Sequence, residues 1–164
     1  MIKTADKIVE YVHIKKLQNK IKNKKTVLVG GGFDILHYGH VEFLEKARAA
    51  GNFLIVLLEP DEFIESVKKR NPIHTQKERA AILSAFHFVD SVVLLPLFSK
   101  DEDYAQLVQM IQPAVIAVTK GDPKINEKKK QAKSAGGVLQ IVTLRLSRFS
   151  SSKIIKHYAP FLSN

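Results

Sequence analysis

Two histidines follow a cluster of glycines in the stretch VGGGFDILHYGH, which runs from Val29 to His40. His37 and His40 stand three residues apart at the start of a predicted helix, so they share one helix face. A helix N-terminus offers backbone N–H groups and the positive end of the helix dipole, and two imidazole donors beside it form a site for an anion such as phosphate. Each histidine alone is more typical of a structural residue, but the pair beside a glycine turn favours a phosphate site. A metal site is a weaker alternative, because no obvious further ligands stand nearby in the sequence.

The glycine cluster completes neither of the common nucleotide-binding fingerprints. Ile35 stands where G-x-G-x-x-G requires its third glycine, and the chain contains no G-x-x-x-x-G-K-[ST] sequence. Gly30, Gly31 and Gly32 must therefore serve in another way, and we expect them to let the backbone turn tightly and approach a phosphate. Asp34 is a candidate for stabilising that turn.

Five short apolar runs predict the strands that position this stretch. They are rich in β-branched residues and nearly continuous, as parallel strands covered on both faces should be. The runs are Thr26–Val29, Phe53–Leu58, Ser91–Leu95, Ala114–Val118 and Val138–Thr143. The glycine and histidine stretch lies directly after the first of them.

Helical patterns lie between these strands, and two of them carry capping signals. Thr75 and Glu78 form a capping-box pattern that opens a helix over Thr75–Phe86, and Ser99 with Glu102 forms a second such pattern. The alternation predicts an α/β fold: a Rossmann-like, doubly wound parallel five-stranded sheet with helices on both faces and right-handed crossovers. Such sheets bind ligands beyond the carboxyl ends of their strands.

The N-terminal residues 1–23 place Ile14, Leu17 and Ile21 at helical spacing. They predict an amphipathic helical lead-in that packs on the domain edge or on a partner subunit. No internal repeat or long low-complexity linker divides the remainder, so we expect residues 24–164 to form one domain.

Composition narrows the classes of protein that this chain can belong to. It has 164 residues and no cysteine, which excludes disulfides, zinc–thiolate sites and cysteine nucleophiles. No apolar segment is long enough for a signal peptide or a membrane span, so we expect a cytoplasmic protein with no membrane partner. The net charge of +10 arises from lysines in residues 1–25 and 120–133, while the rest is balanced. Solvated lysine faces are favoured over attraction of anionic substrates, and a nucleic-acid groove is not expected.

The stretch GGFDILHYGH resembles the G-x-F-D-x-x-H-x-G-H signature of the cytidylyltransferase-like nucleotidyltransferases. The matching positions are Gly31, Phe33, Asp34, His37, Gly39 and His40. Further matches follow in chain order: Lys68 seven residues after Asp61, Arg79 in KERAAIL, and RLSRFSSSKI at Arg145–Ile154. The family pattern for this last segment is R-T-E-G-[IY]-S-[ST]-[ST]-[KRD]-[IL]. The resemblance covers roughly residues 24–158 and also implies a homodimer.

The resemblance implies transfer of a nucleoside monophosphate from ATP or CTP to a phosphorylated small molecule, with release of pyrophosphate. Because the acceptor phosphate is already an anion, catalysis reduces to positioning and to neutralising charge on the α-phosphate. His37 and His40 would donate hydrogen bonds to that phosphoryl group. Lys68, expected in the loop after the second predicted strand, would add a positive charge.

The resemblance also implies a set of nucleotide-binding residues. They are Gly31, Gly32, Phe33, Asp34, Gly39, Arg79, Gly121, Asp122, Arg145, Ser150, Ser151 and Ser152. The three serines, opening a last helix, would hold the β- and γ-phosphates with hydroxyls and backbone N–H groups. Mg²⁺ that bridges the phosphates is the implied cofactor, bound mainly by nucleotide and water rather than by a metal site of the protein.

Within the superfamily, the chain is most similar overall to the heptose-1-phosphate adenylyltransferase domain. The segments NPIHTQKERAAIL and KSAGGVLQIV carry that likeness. Glycerol-3-phosphate cytidylyltransferases and archaeal FAD synthetases share the core signatures nearly as well. Gly32, where the heptose group has cysteine, departs from that pattern, as do Ser147 and Arg148, which replace Glu-Gly. Arg145 resembles the cytidylyltransferase pattern.

Three hypotheses about function follow from these residues. A sugar-phosphate adenylyltransferase is narrowly favoured over a cytidylyltransferase that acts on glycerol-3-phosphate or a similar phosphoalcohol. A non-catalytic nucleotide or nucleic-acid binding module on the same fold is the third, motivated by the basic N-terminus and the Lys128–Lys130 run. The histidines, Lys68 and the serines argue against the third hypothesis.

Overall fold

The computed structural model describes residues 4–144 and 150–158. Its centre is a parallel sheet of six strands in the order β1-β4-β3-β2-β5-β6. The strands are β1 Ile8–Glu10, β2 Thr26–Gly31, β3 Phe53–Leu58, β4 Ser91–Leu94, β5 Val115–Lys120 and β6 Val138–Leu144. The helices are α1 Lys15–Ile21, α2 Tyr38–Ala49, α3 Asp61–Lys68, α4 Gln76–Ser84, α5 Asp101–Ile111, α6 Ile125–Ser134 and α7 Ser151–Tyr158. The predicted Rossmann-like α/β class is confirmed, and each of the five predicted strands is present.

The sheet has one strand more than predicted, and the extra strand comes from the N-terminal segment. Residues Ile8–Glu10 pair in parallel with β4 at the edge of the sheet, so the expectation of a helical lead-in over residues 1–23 is corrected. Only Lys15–Ile21 within this segment is α-helical. Leu17 of that helix is 1% exposed and packs in the same apolar cluster as Val9 of β1. The segment is therefore built into the sheet and its covering layer.

Helices cover both faces of the sheet, as its nearly continuous apolar strands predict. Successive residues of a strand point to opposite faces, and β2 illustrates this. Val27 and Val29 pack with α2 and α4 in one cluster, whereas Leu28 packs with α1, α5 and α6 in the other. Within the described residues, no helix has both the length and the apolar character that crossing a bilayer requires.

The strand order reverses at β2, which lies between β3 and β5. From β2 the chain passes to β3 and β4 on one side, and returns to β5 and β6 on the other. Crevices at such reversals, beyond the carboxyl ends of the strands, are where doubly wound sheets bind ligands. The glycine and histidine stretch follows β2 directly and so lies at this point.

Capping residues determine where two of the helices begin. Thr75 caps α4: its side-chain oxygen accepts from the Glu78 backbone N–H at 3.4 Å, and its own N–H donates to the Glu78 carboxylate at 2.8 Å. This predicted capping box is confirmed. The second prediction was wrong by one residue, because Lys100 rather than Ser99 precedes α5 and its N–H donates to Asp103 at 3.3 Å.

Candidate active site

In the loop after β2, Phe33 and not a glycine has a left-handed backbone. Phe33 has φ +46°, whereas none of Gly30, Gly31 and Gly32 adopts a left-handed backbone. A side chain in this conformation costs on the order of 1 kcal/mol. The glycines provide space: a Cβ on Gly31 would lie 3.0 Å from the Phe33 ring, and one on Gly32 would lie 3.3 Å from Ile64. The expectation that the glycines make the turn is thus corrected.

The structure stacks the two imidazole rings of the sequence motif. His37 is the N-cap residue of α2, and its carbonyl oxygen accepts from the His40 backbone N–H at 2.9 Å. The ring centroids of His37 and His40 are 3.8 Å apart with an interplanar angle of 18°. The Phe33 ring lies 5.2 Å from that of His40 on centroids. The strained turn thus brings an aromatic ring against the histidine pair.

Both histidines are less basic than a histidine in water. Burial, with a smaller contribution from the charge of His37, lowers the pKa of His40 to about 4, although a hydrogen bond with the Ile35 backbone opposes the change. Burial also lowers the pKa of His37. Both imidazoles are therefore neutral at pH 7 in the free protein. A neutral imidazole still offers one N–H donor to a phosphate oxygen.

A cavity of about 410 Å³ opens beside the two imidazoles, and we call it the histidine cavity. The predicted residues that line it are Gly32, Phe33, Asp34, His37, Gly39, His40, Lys68, Ser150, Ser151 and Ser152. The first residues of α2 and of α7 therefore face one cavity. Helix N-termini carry partial positive charge, so two of them on one cavity favour a polyanion there.

The three serines at the start of α7 make different contacts. The Ser150 hydroxyl accepts from the Lys153 N–H at 3.1 Å and so caps the helix. The Ser151 hydroxyl donates to the Ile35 carbonyl at 2.9 Å, which fastens α7 to the loop that precedes α2. Ser152 also lines the cavity. Ser151 thus holds the two helix starts in register.

Lys68 reaches the histidine cavity from a helix rather than from a loop. It is the last residue of α3, which corrects the expectation that it lies in the loop after the second predicted strand. Its side chain is exposed at the rim of the cavity. The end of a helix is a firmer support for a charged side chain than a loop would be.

Arg70 also lines the histidine cavity, although no motif pointed to it. Its Nη1 lies 2.5 Å from Asp34 Oδ2, and its buried Nε has no hydrogen-bond partner. The other Asp34 oxygen accepts from the backbone N–H groups of Ile73 and His74 at 2.8 and 3.1 Å. Asp34, 5% exposed, thus binds protein groups, and its contact with nucleotide stays a prediction. In the sequence, the basic run that begins at Lys68 was the local feature that could have indicated Arg70 as a phosphate-binding residue.

Arg79 is fully buried and does not line the cavity. Its Nη1 donates to the carbonyls of Gly32 and Glu59, the latter at 2.9 Å. Its Nη2 lies 2.6 Å from Asp61 Oδ1, and its Nε donates to the His74 carbonyl at 3.1 Å. Arg79 thus ties together the chain ends that follow β2 and β3, and its nucleotide-binding role stays a prediction.

Two further predicted residues lie away from the histidines. Gly121 occupies a turn after β5 with φ +83° and does not line the histidine cavity. The Asp122 carboxylate lies 2.7 Å from Lys128 Nζ and faces a second cavity instead. The nucleotide contacts expected for both residues stay predictions. Arg145 lies outside the described residues.

The second cavity, of about 500 Å³, has largely apolar walls, and we call it the apolar cavity. Its apolar lining includes Leu28, Leu57, Phe63, Phe98, Val108 and Ile116. Glu59 and Tyr104 face it together, with the Tyr104 hydroxyl 3.1 Å from both Glu59 oxygens. Burial raises the pKa of Glu59, and burial and the Glu59 charge raise that of Tyr104. This pair was missed in the sequence analysis. The position of Glu59 directly after a predicted strand was the feature that could have indicated a ligand-binding residue.

The described residues do not form a cage for a divalent metal. None of them belongs to a group of three or more His, Asp or Glu side chains placed to hold one ion. Asp34, the carboxylate in the histidine cavity, uses both oxygens on protein donors. The described side chains therefore do not provide a dedicated Mg²⁺ site of their own.

Two helix N-termini and an imidazole pair thus line one cavity beside the strand reversal of a parallel, Rossmann-like sheet. The model of the family described as cytidylyltransferase-like matches residues 28–157. The chain belongs to this cytidylyltransferase-like family and is a nucleotidyltransferase.

The chain is similar to proteins of more than one name. It is 36% identical over 138 residues to an FAD synthase of Pyrococcus horikoshii, covering 81% of this chain and 91% of that protein. It is 36% identical over 140 residues to the bifunctional protein HldE of Campylobacter jejuni, covering 84% of this chain but 28% of that protein. A solved structure, the lipopolysaccharide core biosynthesis protein from Thermoplasma volcanium, has 26% identity and a TM-score of 0.58, covering 74% of this chain and 97% of that one.

Proposed function

We propose that this nucleotidyltransferase transfers AMP from ATP to the phosphate of a small molecule and releases pyrophosphate. The observation that carries the proposal is the histidine cavity, where two helix N-termini, the stacked imidazoles, Lys68 and Arg70 converge. Such a set of donors and charges suits a triphosphate. The choice of ATP is supported by the FAD synthase likeness, because FAD contains an AMP group.

The proposed reaction is an in-line substitution at the α-phosphate. An oxygen of the acceptor phosphate attacks the α-phosphorus, and the bond from that phosphorus to the oxygen bridging to the β-phosphate breaks. Pyrophosphate leaves with the bonding electrons. Because the acceptor phosphate is already an anion, no proton transfer is needed to make the nucleophile. The protein contributes position and charge neutralisation.

Residues of the histidine cavity divide these tasks in our proposal. His37 and His40 donate N–H groups to the α-phosphate oxygens, on which charge grows in the transition state. Lys68 and Arg70 neutralise the departing pyrophosphate from the side of α3. The first turn of α7 binds the β- and γ-phosphates through its backbone N–H groups and the Ser152 hydroxyl.

Magnesium, a homodimer and a cytoplasmic location stay predictions from the resemblance and the composition. We propose that Mg²⁺ enters bound to the phosphates of ATP and to water, which is common for this ion. When bound in that way it would neutralise phosphate charge. The hydrogen bonds and positive charges proposed for the histidine cavity come from the protein's own side chains and backbone.

The acceptor class proposed from the sequence is a sugar phosphate such as a heptose-1-phosphate, and a flavin phosphate is the class that the FAD synthase likeness supports. Cytidylyl transfer to a phosphoalcohol is the alternative for the nucleotide. Pyrophosphate release should be measured with ATP and with CTP against sugar phosphates, glycerol-3-phosphate and flavin mononucleotide. Release with ATP and one acceptor class is expected.

A chain with His37 and His40 both replaced by asparagine should lose this activity, because it lacks both of the proposed imidazole donors. A chain with exposed His13 replaced by asparagine should behave as wild type, since His13 lines neither cavity. Absence of pyrophosphate release with every combination would contradict the proposal. Salt-sensitive binding of RNA or DNA without turnover would instead favour the binding-module hypothesis.

A further inference from the structure

The two cavities meet at the carboxyl end of β2. Gly31 lines the apolar cavity and Gly32 lines the histidine cavity, while Phe63 lines both. A substrate in each would therefore approach the other at the turn that carries the imidazoles. In-line transfer requires the attacking group and the leaving group on opposite sides of the phosphorus. Two cavities on the two sides of one strand end provide this arrangement.

The histidine cavity is long enough to take the nucleoside as well as the phosphates. That cavity extends past the serines to Thr119 at the end of β5 and Leu144 at the end of β6. The triphosphate and the group attached to it can therefore follow the edge of β2, β5 and β6. The apolar cavity, which lies towards α5 and α6, is left for the second substrate.

The walls of the apolar cavity favour a flat apolar body over a polyol. Phe98 and Tyr104 pack edge to face with ring centroids 4.9 Å apart, and both line the cavity with Phe63. Aromatic walls gain from stacking or edge contact with a second ring system. Val108 and Ile116 add aliphatic surface that hydroxyl groups cannot hydrogen-bond.

Several polar groups of the apolar cavity are already paired with one another. Lys128 binds Asp122 at 2.7 Å, and Lys124 binds Asp101 at 3.2 Å. A substrate rich in hydroxyl groups would lose hydrogen bonds to water against the aliphatic walls, which is costly where no protein partner replaces them. A planar ring with few polar atoms avoids that cost.

A polar pair stands beside the aromatic wall and can orient such a ring. Glu59 is 7% exposed and accepts from Tyr104 with both carboxylate oxygens. A carboxylate has about four lone-pair positions, so Glu59 can also accept from a ring N–H. The pair thus provides an oriented recognition point beside the aromatic wall, while Ser99, Lys100, Glu127 and Gln131 also line the cavity.

We propose that the apolar cavity binds the body of the acceptor, and that this body is a planar heteroaromatic ring joined to a phosphomonoester. This rests on the proposed adenylyl transfer. Flavin mononucleotide is the probe, because it has a tricyclic ring with an N–H group and a phosphate on a ribityl arm. Ribitol 5-phosphate is its matched control, since it has the arm and the phosphate without the ring.

The test measures binding and turnover separately on the full chain. Flavin fluorescence reports binding of flavin mononucleotide without ATP, and pyrophosphate release with ATP reports transfer. We expect flavin mononucleotide to bind at least about tenfold more tightly than ribitol 5-phosphate and to be the better acceptor, since a tenfold change needs only about 1.4 kcal/mol. Phe98→Ala should weaken flavin binding at least about fivefold and leave ATP affinity unchanged. Leu97→Ala, at an exposed neighbour outside the cavity, should change neither.

Each contrary result overturns a different statement. Turnover of a sugar phosphate or ribitol 5-phosphate with no binding of flavin mononucleotide would overturn the aromatic acceptor and leave adenylyl transfer standing. Loss of ATP affinity in Phe98→Ala without loss of flavin affinity would place the nucleotide base in this cavity and overturn the assignment. Flavin binding without pyrophosphate release from any acceptor would contradict the proposed function and, with it, the acceptor role.

Discussion

Arg70 Nη1 and Asp34 Oδ2 lie 2.5 Å apart, and this ion pair joins the loop after β2 to the segment after α3. Asp34 is 5% exposed and is itself held by the backbone N–H groups of Ile73 and His74. The guanidinium is therefore fixed at the histidine cavity, with its Nε buried and without a hydrogen-bond partner. An oriented cation with a spare donor is suited to bind phosphate.

Replacing Arg70 by alanine should raise the KM for ATP at least about tenfold, because a hydrogen bond to a charged group contributes about 1.5–3 kcal/mol. Arg70→Lys should recover part of the loss, since it keeps the charge but not the fork of donors. Steady-state kinetics at saturating acceptor measures both. Lys77→Ala, which removes an exposed lysine that lines neither cavity, should leave the KM unchanged. An unchanged KM in Arg70→Ala would remove this residue from the site.

Asp34→Asn should raise the KM for ATP through Arg70 rather than directly. Its effect should be largely absent in a chain that already has Arg70→Ala, because residues that act as one unit are not additive. A double-mutant cycle on the KM tests this. Full additivity of the two substitutions would show that Asp34 acts independently of Arg70.

Arg79→Met should reduce the free energy of unfolding by at least about 3 kcal/mol, because it leaves buried acceptors unsatisfied and breaks an ion pair. The acceptors are the carbonyls of Gly32, Glu59 and His74, together with Asp61. Urea unfolding followed by circular dichroism measures the change. Lys77→Ala should stay within about 0.5 kcal/mol of wild type, as exposed substitutions usually do. A small loss in Arg79→Met would contradict its role as a clamp.

The stability of the free protein should decrease as the pH falls from 6.5 towards 4. Folded His40 has a pKa of about 4 against an ordinary value of 6.5. Within this window the unfolded chain binds the proton more tightly than the folded chain, so acid favours unfolding; above pH 6.5 this contribution is constant. Thermal or urea unfolding across pH 4–8 measures it.

The contribution of His40 is the difference between the wild-type profile and that of His40→Asn. This difference cancels the effect of Glu59, whose raised pKa makes stability fall as the pH rises above its ordinary value of 4.5. His37 adds to the His40 effect in the same direction. Parallel profiles for wild type and His40→Asn between pH 4 and 6.5 would show that the His40 pKa is not lowered.

Local signals in the sequence accounted for most of the architecture. The five apolar runs became strands because continuous β-branched residues suit a sheet covered on both faces. Thr75 with Glu78 marked the start of α4 because a capping box acts within one helical turn. The short β1 was missed because its three residues lie beside the stronger helical spacing of Ile14, Leu17 and Ile21.

The parts of the site that escaped prediction depend on pairs far apart in the chain. Arg70 and Asp34 are 36 residues apart, and Tyr104 and Glu59 are 45 residues apart. Only the packed fold brings such partners together. Arg79 matched a motif by spacing, but the sequence did not indicate that it is fully buried and binds carbonyl oxygens of the protein. Spacing thus predicted which residues matter more reliably than what each one contacts.

The central claim is that the stacked imidazoles stabilise charge on a reacting phosphate, and the kcat of His40→Asn tests it most directly. Loss of one transition-state donor should lower kcat by about 10²–10³-fold while ATP affinity and the unfolding transition at pH 7 are retained. His13→Asn should turn over as wild type does. A kcat in His40→Asn equal to that of wild type, with the same acceptor at saturation, would contradict the claim.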